Sequence, residues 1–442
     1  MVGSDVNPES SWLRRAPGLA GALILCGLLL VMASSLGLAV PLALASIVYW
    51  GAVVLLWPRL GKRNRVQTLL LLAAGGGTLL WSLRRGAELD LPQLLAGNSS
   101  LISMLVAVSF LALISRPEQE AGERLPRGKR AVASTLLAVH LFGAVINLSS
   151  IFIIGDRIAR QLRLTPAQVV VLVRGFSAAA FWSPFFAAMA VALSYAPEAS
   201  LPRLWLVGMP LAAAALLLTG WQLSRGDKGP VAEFTGYPMH YGGLWLPLSL
   251  AAAVFIARVI YPALSVLTLI TLLAPLLALL VLVARRAGVV VRVSNHCRQR
   301  LPQMGNELAL FQAAGVLGYG LERLSGTFAS QFPLQQFGAL EASIAYLGIV
   351  LVSILGVHPI ISIALVGSLL APLQPDHSLL ALVFLSAWAL GSVVGPLSGM
   401  NLGVQGRYGV DSFQIMRMNL GYTVLMSALV VVAIYWLAPS AP

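Results

Sequence analysis

Apolar residues along this chain fall into blocks of about twenty, the length a helix needs to cross a hydrocarbon core of about 30 Å. Read in order, the blocks predict helices over 17–35, 38–57, 66–83, 99–115, 132–163, 165–195, 203–221, 244–260, 262–284, 306–326, 337–373, 377–406 and 413–438. Three of them have the wrong length. At 1.5 Å per residue, 165–195 and 377–406 would each run to roughly 45 Å, and 337–373 further still. Such segments must tilt, break, or enter the bilayer and turn back.

Helix-breaking residues inside the long blocks point to the second and third outcomes. "GSVVGPLSGMN" (391–401) sets Gly395, Pro396, Ser398, Gly399 and Asn401 in the middle of an apolar stretch. A helix interior loses roughly 1 kcal/mol for each glycine and about 3 for a proline, so continuous helix is not expected there. "FWSPF" (181–185) carries Ser183 and Pro184 within 165–195, while "GAVINLSS" (143–150) and "GVHPIIS" (356–362) interrupt 132–163 and 337–373.

Composition sets the class. Of 442 residues 58% are hydrophobic and 10% are charged, too few polar side chains to cover a soluble globule. The chain reads as an all-α polytopic membrane protein. Its net charge of +13 lies in short clusters between the apolar blocks, as cytoplasmic loops carry it. No basic and aromatic array accompanies these clusters, so nucleic acid is not an expected partner. Arg14 and Arg15 precede an apolar run as in a signal peptide, yet a second run follows at once without a convincing A-x-A site, and the first run is expected to be a span. Cys26 falls in that span and Cys297 in an expected cytoplasmic loop, a poor disulfide pair with no metal-ligand spacing.

Charge also decides the topology. With 132–163 and 337–373 as re-entrant hairpins, the clusters Arg59/Lys62/Arg63/Arg65, Arg116/Arg124/Arg127/Lys129/Arg130, Arg157/Arg160/Arg163, Arg225/Lys228 and Arg285/Arg286/Arg292/Arg298/Arg300 all share the side of Arg14 and Arg15. The expectation is about eleven transmembrane helices plus two hairpins in a bacterial inner membrane, N-terminus cytoplasmic and C-terminus extracytoplasmic. Arg84 and Arg85 stand outside the pattern.

The order of three spans, a hairpin, a long broken span and a further span fits 38–221 and again 244–438, the second copy starting from the opposite face. This gives an N-terminal segment and first helix over 1–37, a first inverted repeat over 38–221, a linker over 222–243 and a second repeat over 244–438. Asn147 precedes Pro184 by 37 positions and His358 precedes Pro396 by 38.

The late break "GPLSGMNLGVQG" followed by "DSFQIMRMNLGYTVLMSALVVVAIYWL" (411–437) resembles the polar break and final helix of the ion transporter superfamily. That superfamily includes the divalent-anion/sodium symporters, the arsenite and citrate permeases, and the membrane subunits of TRAP carboxylate transporters. The resemblance implies an elevator-type carrier, with a scaffold domain holding homodimer contacts and a transport domain built from the hairpins and broken helices. It also implies an accessory subunit or binding protein if the chain is TRAP-like. The Ser-Asn-Thr signature of the symporters is absent.

Non-helical backbone at membrane depth is tolerated only when buried in protein or lining a polar cavity. The four openings therefore mark one expected cavity, where half-helix N-termini favour an anion and freed carbonyls a small cation. Its candidate substrate contacts are Asn147, Ser149, Ser150 and Ser183 from one half, and His358, Ser362, Ser398 and Asn401 from the other. Pro184, Gly395, Pro396 and Gly399 are read as shaping the breaks. Each polar residue also has a structural reading: capping a half-helix, or filling the bond a proline vacates. Arg174, inside the first broken helix, can neutralise an anion or snorkel to the inner surface. Glu341 falls in the entering arm of the second hairpin without an evident role. "AAGGGTLL" (73–80) reads as a site of close helix packing.

The expected function is ion-coupled secondary transport of a small, carboxylate-like organic anion by alternating access. Oxyanion efflux is the nearest alternative. An integral membrane enzyme of envelope polymer synthesis is the rival from another class, and short outer loops poor in Asp, Glu and His weigh against it. No cofactor is implied, and the driving ion is expected to be Na⁺ or H⁺.

Overall fold

A chain surrounded by lipid must satisfy its backbone within each segment, and helix does this locally. The computed structural model describes residues 8–114, 125–159, 163–225, 231–239, 245–328 and 336–438, and these are helical apart from turns and one antiparallel bridge between Arg127 and Thr235. Arg116, Arg124, Arg160 and Lys228, counted above as loop charges, lie outside the described residues.

The helices run α1 (Pro8–Ser35), α2 (Leu42–Leu56), α3 (Lys62–Arg84), α4 (Leu91–Ala96), α5 (Ser99–Ser109), α6 (Gly128–Ile146), α7 (Ser149–Ala159), α8 (Pro166–Ala178), α9 (Ala187–Tyr195) and α10 (Leu201–Ser224). They continue as α11 (Trp245–Ile260), α12 (Val266–Ala284), α13 (Val289–Asn295), α14 (Gly305–Phe328), α15 (Ala339–Ile354), α16 (Pro359–Leu370), α17 (His377–Val394), α18 (Gly399–Tyr408) and α19 (Ser412–Leu437). Among the described residues nine helices are long and apolar enough to cross a membrane, joined by shorter apolar ones. This is an all-α multi-pass membrane protein. The block 165–195 is absent from the nine because its break leaves α8 and α9 with 13 and 9 residues, about 20 and 14 Å at 1.5 Å per residue.

Two expectations from sequence change. The stretch 285–305 is not a plain loop: α13 leads through a π turn, His296–Arg300, and a 3₁₀ turn into α14. Cys297 is buried in that turn, where its carbonyl comes so close to α1 that no side chain would fit at Gly21. The span placed at 99–115 begins earlier, at Leu91, and is interrupted at Gly97, whose φ of +40° ends α4. Asn98 donates from Nδ2 to the Phe311 carbonyl at 2.7 Å, tying the interruption to α14.

The chain divides into two compact units, Met1–Ile114 with Val254–Thr327, and Ser115–Ala253 with Phe328–Pro442. In the first, α1 packs along α2, and Gly27 sits under the Tyr49 ring with no room for a Cβ. Tyr49 and Ser103 share a hydrogen bond of 2.6 Å, and Gln312 donates to the Ser46 carbonyl at 3.0 Å. The glycine cluster on α3 behaves unevenly. A Cβ at Gly75 would lie 2.7 Å from the Leu317 nitrogen, while Gly76 and Gly77 face open space.

The second unit contains both hairpins and both broken blocks, and its contacts repeat. The arm α6 packs on α8 as α15 packs on α17, and α8 packs on α10 as α17 packs on α19. The two sets meet where α8 touches α17, with Ser177 Oγ donating to the Ala389 carbonyl at 2.9 Å.

Gly75→Val should lower the melting temperature of the detergent-solubilised protein, because inserting carbon into a packed backbone contact costs about 1–3 kcal/mol. Gly76→Ala and Gly77→Ala should leave it unchanged or raise it slightly, since alanine favours an exposed helix by roughly 0.5–1 kcal/mol over glycine. Equal melting temperatures for all three variants would refute the close α3–α14 approach.

Candidate functional site

Each interruption leaves carbonyls without their helical donors, and where those carbonyls find partners defines the site. Helix α6 ends at Asn147, whose φ of +51° with ψ of −141° is a backbone conformation that favours glycine. The chain then turns within two residues into α7. The Asn147 backbone nitrogen still bonds to Gly143 O, and its side-chain Nδ2 donates to the Phe185 carbonyl in the first break at 3.1 Å. Ser183, fully buried in that break, returns the tie: its Oγ donates to the Ala144 carbonyl in the last turn of α6 and accepts from the Phe185 nitrogen. Ser150 Oγ donates to the Asn147 carbonyl at 2.9 Å. Hairpin tip and break thus satisfy each other.

A further tie escaped the sequence reading. His140 on α6 donates from Nδ1 to the Gly175 carbonyl of α8 at 3.1 Å, and its Nε2 accepts from Trp182 Nε1 at 3.1 Å. Both ring nitrogens are used, which fixes the neutral tautomer. A lone histidine in an apolar arm is the available sequence signal.

The second break follows from its proline. Pro396 has no N–H for the carbonyl four residues back, Ser392. That carbonyl accepts instead from Ser398 Oγ at 2.7 Å and from Asn401 Nδ2 at 3.3 Å. Asn401 Nδ2 also lies 3.0 Å from the carbonyls of Val393 and Gly395. Ser398 caps α18 by accepting from the Asn401 nitrogen. Gly395 and Gly399 keep the break compact in different ways: a Cβ at Gly395 would meet Gly391 O at 2.7 Å and Ser353 O at 3.2 Å, whereas Gly399 faces open space. Asn401 is fully buried, and its Oδ1 is buried without a hydrogen-bond partner.

The tip of the second hairpin turns at Gly356, whose φ of +97° favours glycine and which lies against Leu397 of the break. His358 Nδ1 accepts from the Ile360 nitrogen at 3.3 Å, a cap on α16, and its ring stands edge-on to Trp388 with centroids 5.4 Å apart. Glu341, whose role was open, accepts from the Gly338 nitrogen at 2.9 Å and caps the entering arm.

The half-helices pair across the two halves. Phe152 of α7 touches Gly403 of α18, Gly155 lies under Tyr408, and Arg407 Nε donates to Asp156 Oδ1 at 2.7 Å. The numbers rise together, so α7 and α18 run in the same direction, bridged by these long side chains. Tyr195, ninth in α9, lies against Gly367, ninth in α16. Four helix N-termini therefore begin at the tips and breaks of one unit, two from each half.

Among the eight candidate contacts, Asn147, Ser150, Ser183 and Ser398 spend their side chains on backbone groups, as Asn401 does with its Nδ2 and His358 with its Nδ1. Among the described residues, Ser149, first in α7, and Ser362, fourth in α16, hold no such bond. Arg174 does not snorkel. It is 2% exposed, donates to Asn419 Oδ1, Gln222 Oε1 and Met418 O, and stacks 4.3 Å from the Tyr422 ring centre. It ties α8 to α10 and α19. Its polar partners, up to 245 positions away in the chain, carry no motif.

Ser183→Ala should lower the melting temperature by the equivalent of about 1–3 kcal/mol, since it strands a buried carbonyl and a buried N–H together. Asp156→Asn, at a half-exposed ion pair, should cost under about 1 kcal/mol. A thermal melt that ranks the two the other way would overturn the assignment of Ser183 as the tie.

No family model matches the sequence, and no curated protein matches it either. Among solved structures, the YdaH transporter of Alcanivorax borkumensis, described as having an unusual topology, aligns with 84% of this chain and 100% of its own at 14% identity and a TM-score of 0.49.

Proposed function

We propose that this protein is an ion-coupled secondary transporter of a small organic anion, a carrier of the ion transporter superfamily kind, whose second unit holds the substrate. One observation supports this reading above the others: four half-helices, α7, α9, α16 and α18, begin at non-helical backbone within one unit, and α7 and α18 run in the same direction. Each N-terminus carries about half a positive charge, so a cluster of them favours an anion without a fixed cation, even where His358 and Ser398 already cap an N–H.

Ser149 and Ser362 are the residues we assign to direct contact, because their hydroxyls are not committed within the protein. Asn147, Ser183, Ser398 and the Asn401 amide hold the openings in shape. The buried Asn401 Oδ1 is an acceptor with no donor, and a small cation such as Na⁺ travelling with the substrate would supply what it lacks. Arg174, tied to α10 and α19, contributes positive potential rather than a contact. Alternating access follows if the second unit moves as one body, a motion its internal ties favour.

A thermal-shift panel tests the reading. The protein in detergent is melted with small carboxylates and with oxyanions, each in sodium and in choline, at two pH values. One anion class should stabilise the fold, by about 2.7 kcal/mol at a hundredfold excess over its dissociation constant, and more strongly in sodium or at acid pH. Ser149→Ala and Ser362→Ala should remove that shift while leaving the ligand-free melting temperature unaltered. Indifference to every anion would overturn the proposal, and a shift that survives both substitutions would displace the site.

A further inference from the structure

The first unit carries two adjoining cavities, the larger more apolar than the smaller. The larger, about 1130 Å³, lies among α1, α12 and α13 and is lined by apolar side chains including Leu19, Leu25, Leu279, Val290 and Val293, with Arg59 and Arg298 at its edge. The smaller, about 460 Å³, shares Arg59 and Arg298 with the first and adds Gln299, Gln303 and Asn306. No aspartate or glutamate is among the described residues lining either cavity.

The smaller cavity offers donors. Asn306 Oδ1 already accepts from the Gly61 nitrogen at 3.1 Å, and Gln303 Oε1 from Arg300 at 3.5 Å. With their oxygens engaged, both carboxamides have only N–H₂ groups left to give, beside two guanidinium groups. The flanking sequence is one-sided too: 57–66 holds four basic residues and no acidic one, and 285–306 holds five and none. Next to the larger cavity, α13 leaves Val290 81% exposed and Val291 65% exposed just before Arg292. Exposed valines beside arginines describe a helix lying at a bilayer interface.

From this we infer that the paired cavities form a binding site for one anionic glycerophospholipid, its acyl chains in the larger cavity and its phosphate between Arg59 and Arg298, within reach of the Gln303 and Asn306 amides. A phosphate diester needs donors and positive charge, and acyl chains need an apolar cleft adjoining it. A second copy of this chain, related by a two-fold axis, would set one arginine rim against another, so charge favours the lipid.

The test uses the full-length protein in detergent and counts retained lipid by native mass spectrometry. Dioleoyl phosphatidylglycerol and dioleoyl phosphatidylcholine share acyl chains, and glycerol phosphate supplies the headgroup alone. Phosphatidylglycerol should be retained at least about tenfold over phosphatidylcholine, fading as salt screens the rim, and glycerol phosphate should not bind detectably. R59Q/R298Q should abolish the preference without lowering phosphatidylcholine retention. Ala22→Trp, at an exposed position lining the larger cavity, should reduce retention of both lipids and keeps the test decisive should the double variant not fold. Equal retention of the two lipids by the unmodified chain, an unchanged preference in R59Q/R298Q, or unaltered retention in Ala22→Trp would each overturn the inference. So would lipid-free dimers that depend on Arg59 and Arg298, which would give the face to a second copy.

Discussion

An unpaired peptide group away from water costs more than most side-chain contacts contribute, and the architecture of the second unit answers that constraint. Opening a helix at Pro184 or Pro396 frees carbonyls that lipid cannot solvate. Ser183 and Asn147 satisfy one another's neighbourhoods in the first half, and Ser398 with Asn401 serves the carbonyls around Pro396 in the second. In the first half the ties are reciprocal between tip and break, and in the second they run within the break itself. The unit is stiff where its backbone is least regular.

That stiffness has a consequence for chemistry. Once the carbonyls are served, what remains at the openings is the positive end of each half-helix and a few uncommitted polar atoms: the hydroxyls of Ser149 and Ser362 and the oxygen of Asn401. Helices α7 and α18 run in the same direction, so their positive ends point the same way. Selectivity in such a place would rest on hydrogen-bond geometry and on the summed potential of backbone dipoles, with Arg174 as a fixed charge held by Asn419, Gln222 and Met418.

The first unit uses different physics. It packs by close approach: Gly27 against Tyr49, Gly75 against Leu317, Gly21 against Cys297. Contacts of this kind suit helices in lipid, where van der Waals fit replaces the hydrophobic effect as the source of association.

The sequence by itself determined that the chain is helical and multi-pass, and where its four interruptions fall, because proline and glycine act through local backbone terms that need no partner. It also showed that Asn147, Ser183, Ser398 and Asn401 belong to the openings, since polar side chains in apolar blocks require a reason. It did not show which of these would be spent on carbonyls and which left free, nor that His140 and Trp182 join the first hairpin to its break, nor which of three consecutive glycines meets a neighbour. Those outcomes depend on atoms brought together from distant positions, as Arg174 meets Asn419 and Gly75 meets Leu317. Local rules fix where a helix must open. Only tertiary packing decides what answers the groups that opening exposes, because a hydrogen bond is settled within a few tenths of an ångström and the pattern of residue types does not carry that distance.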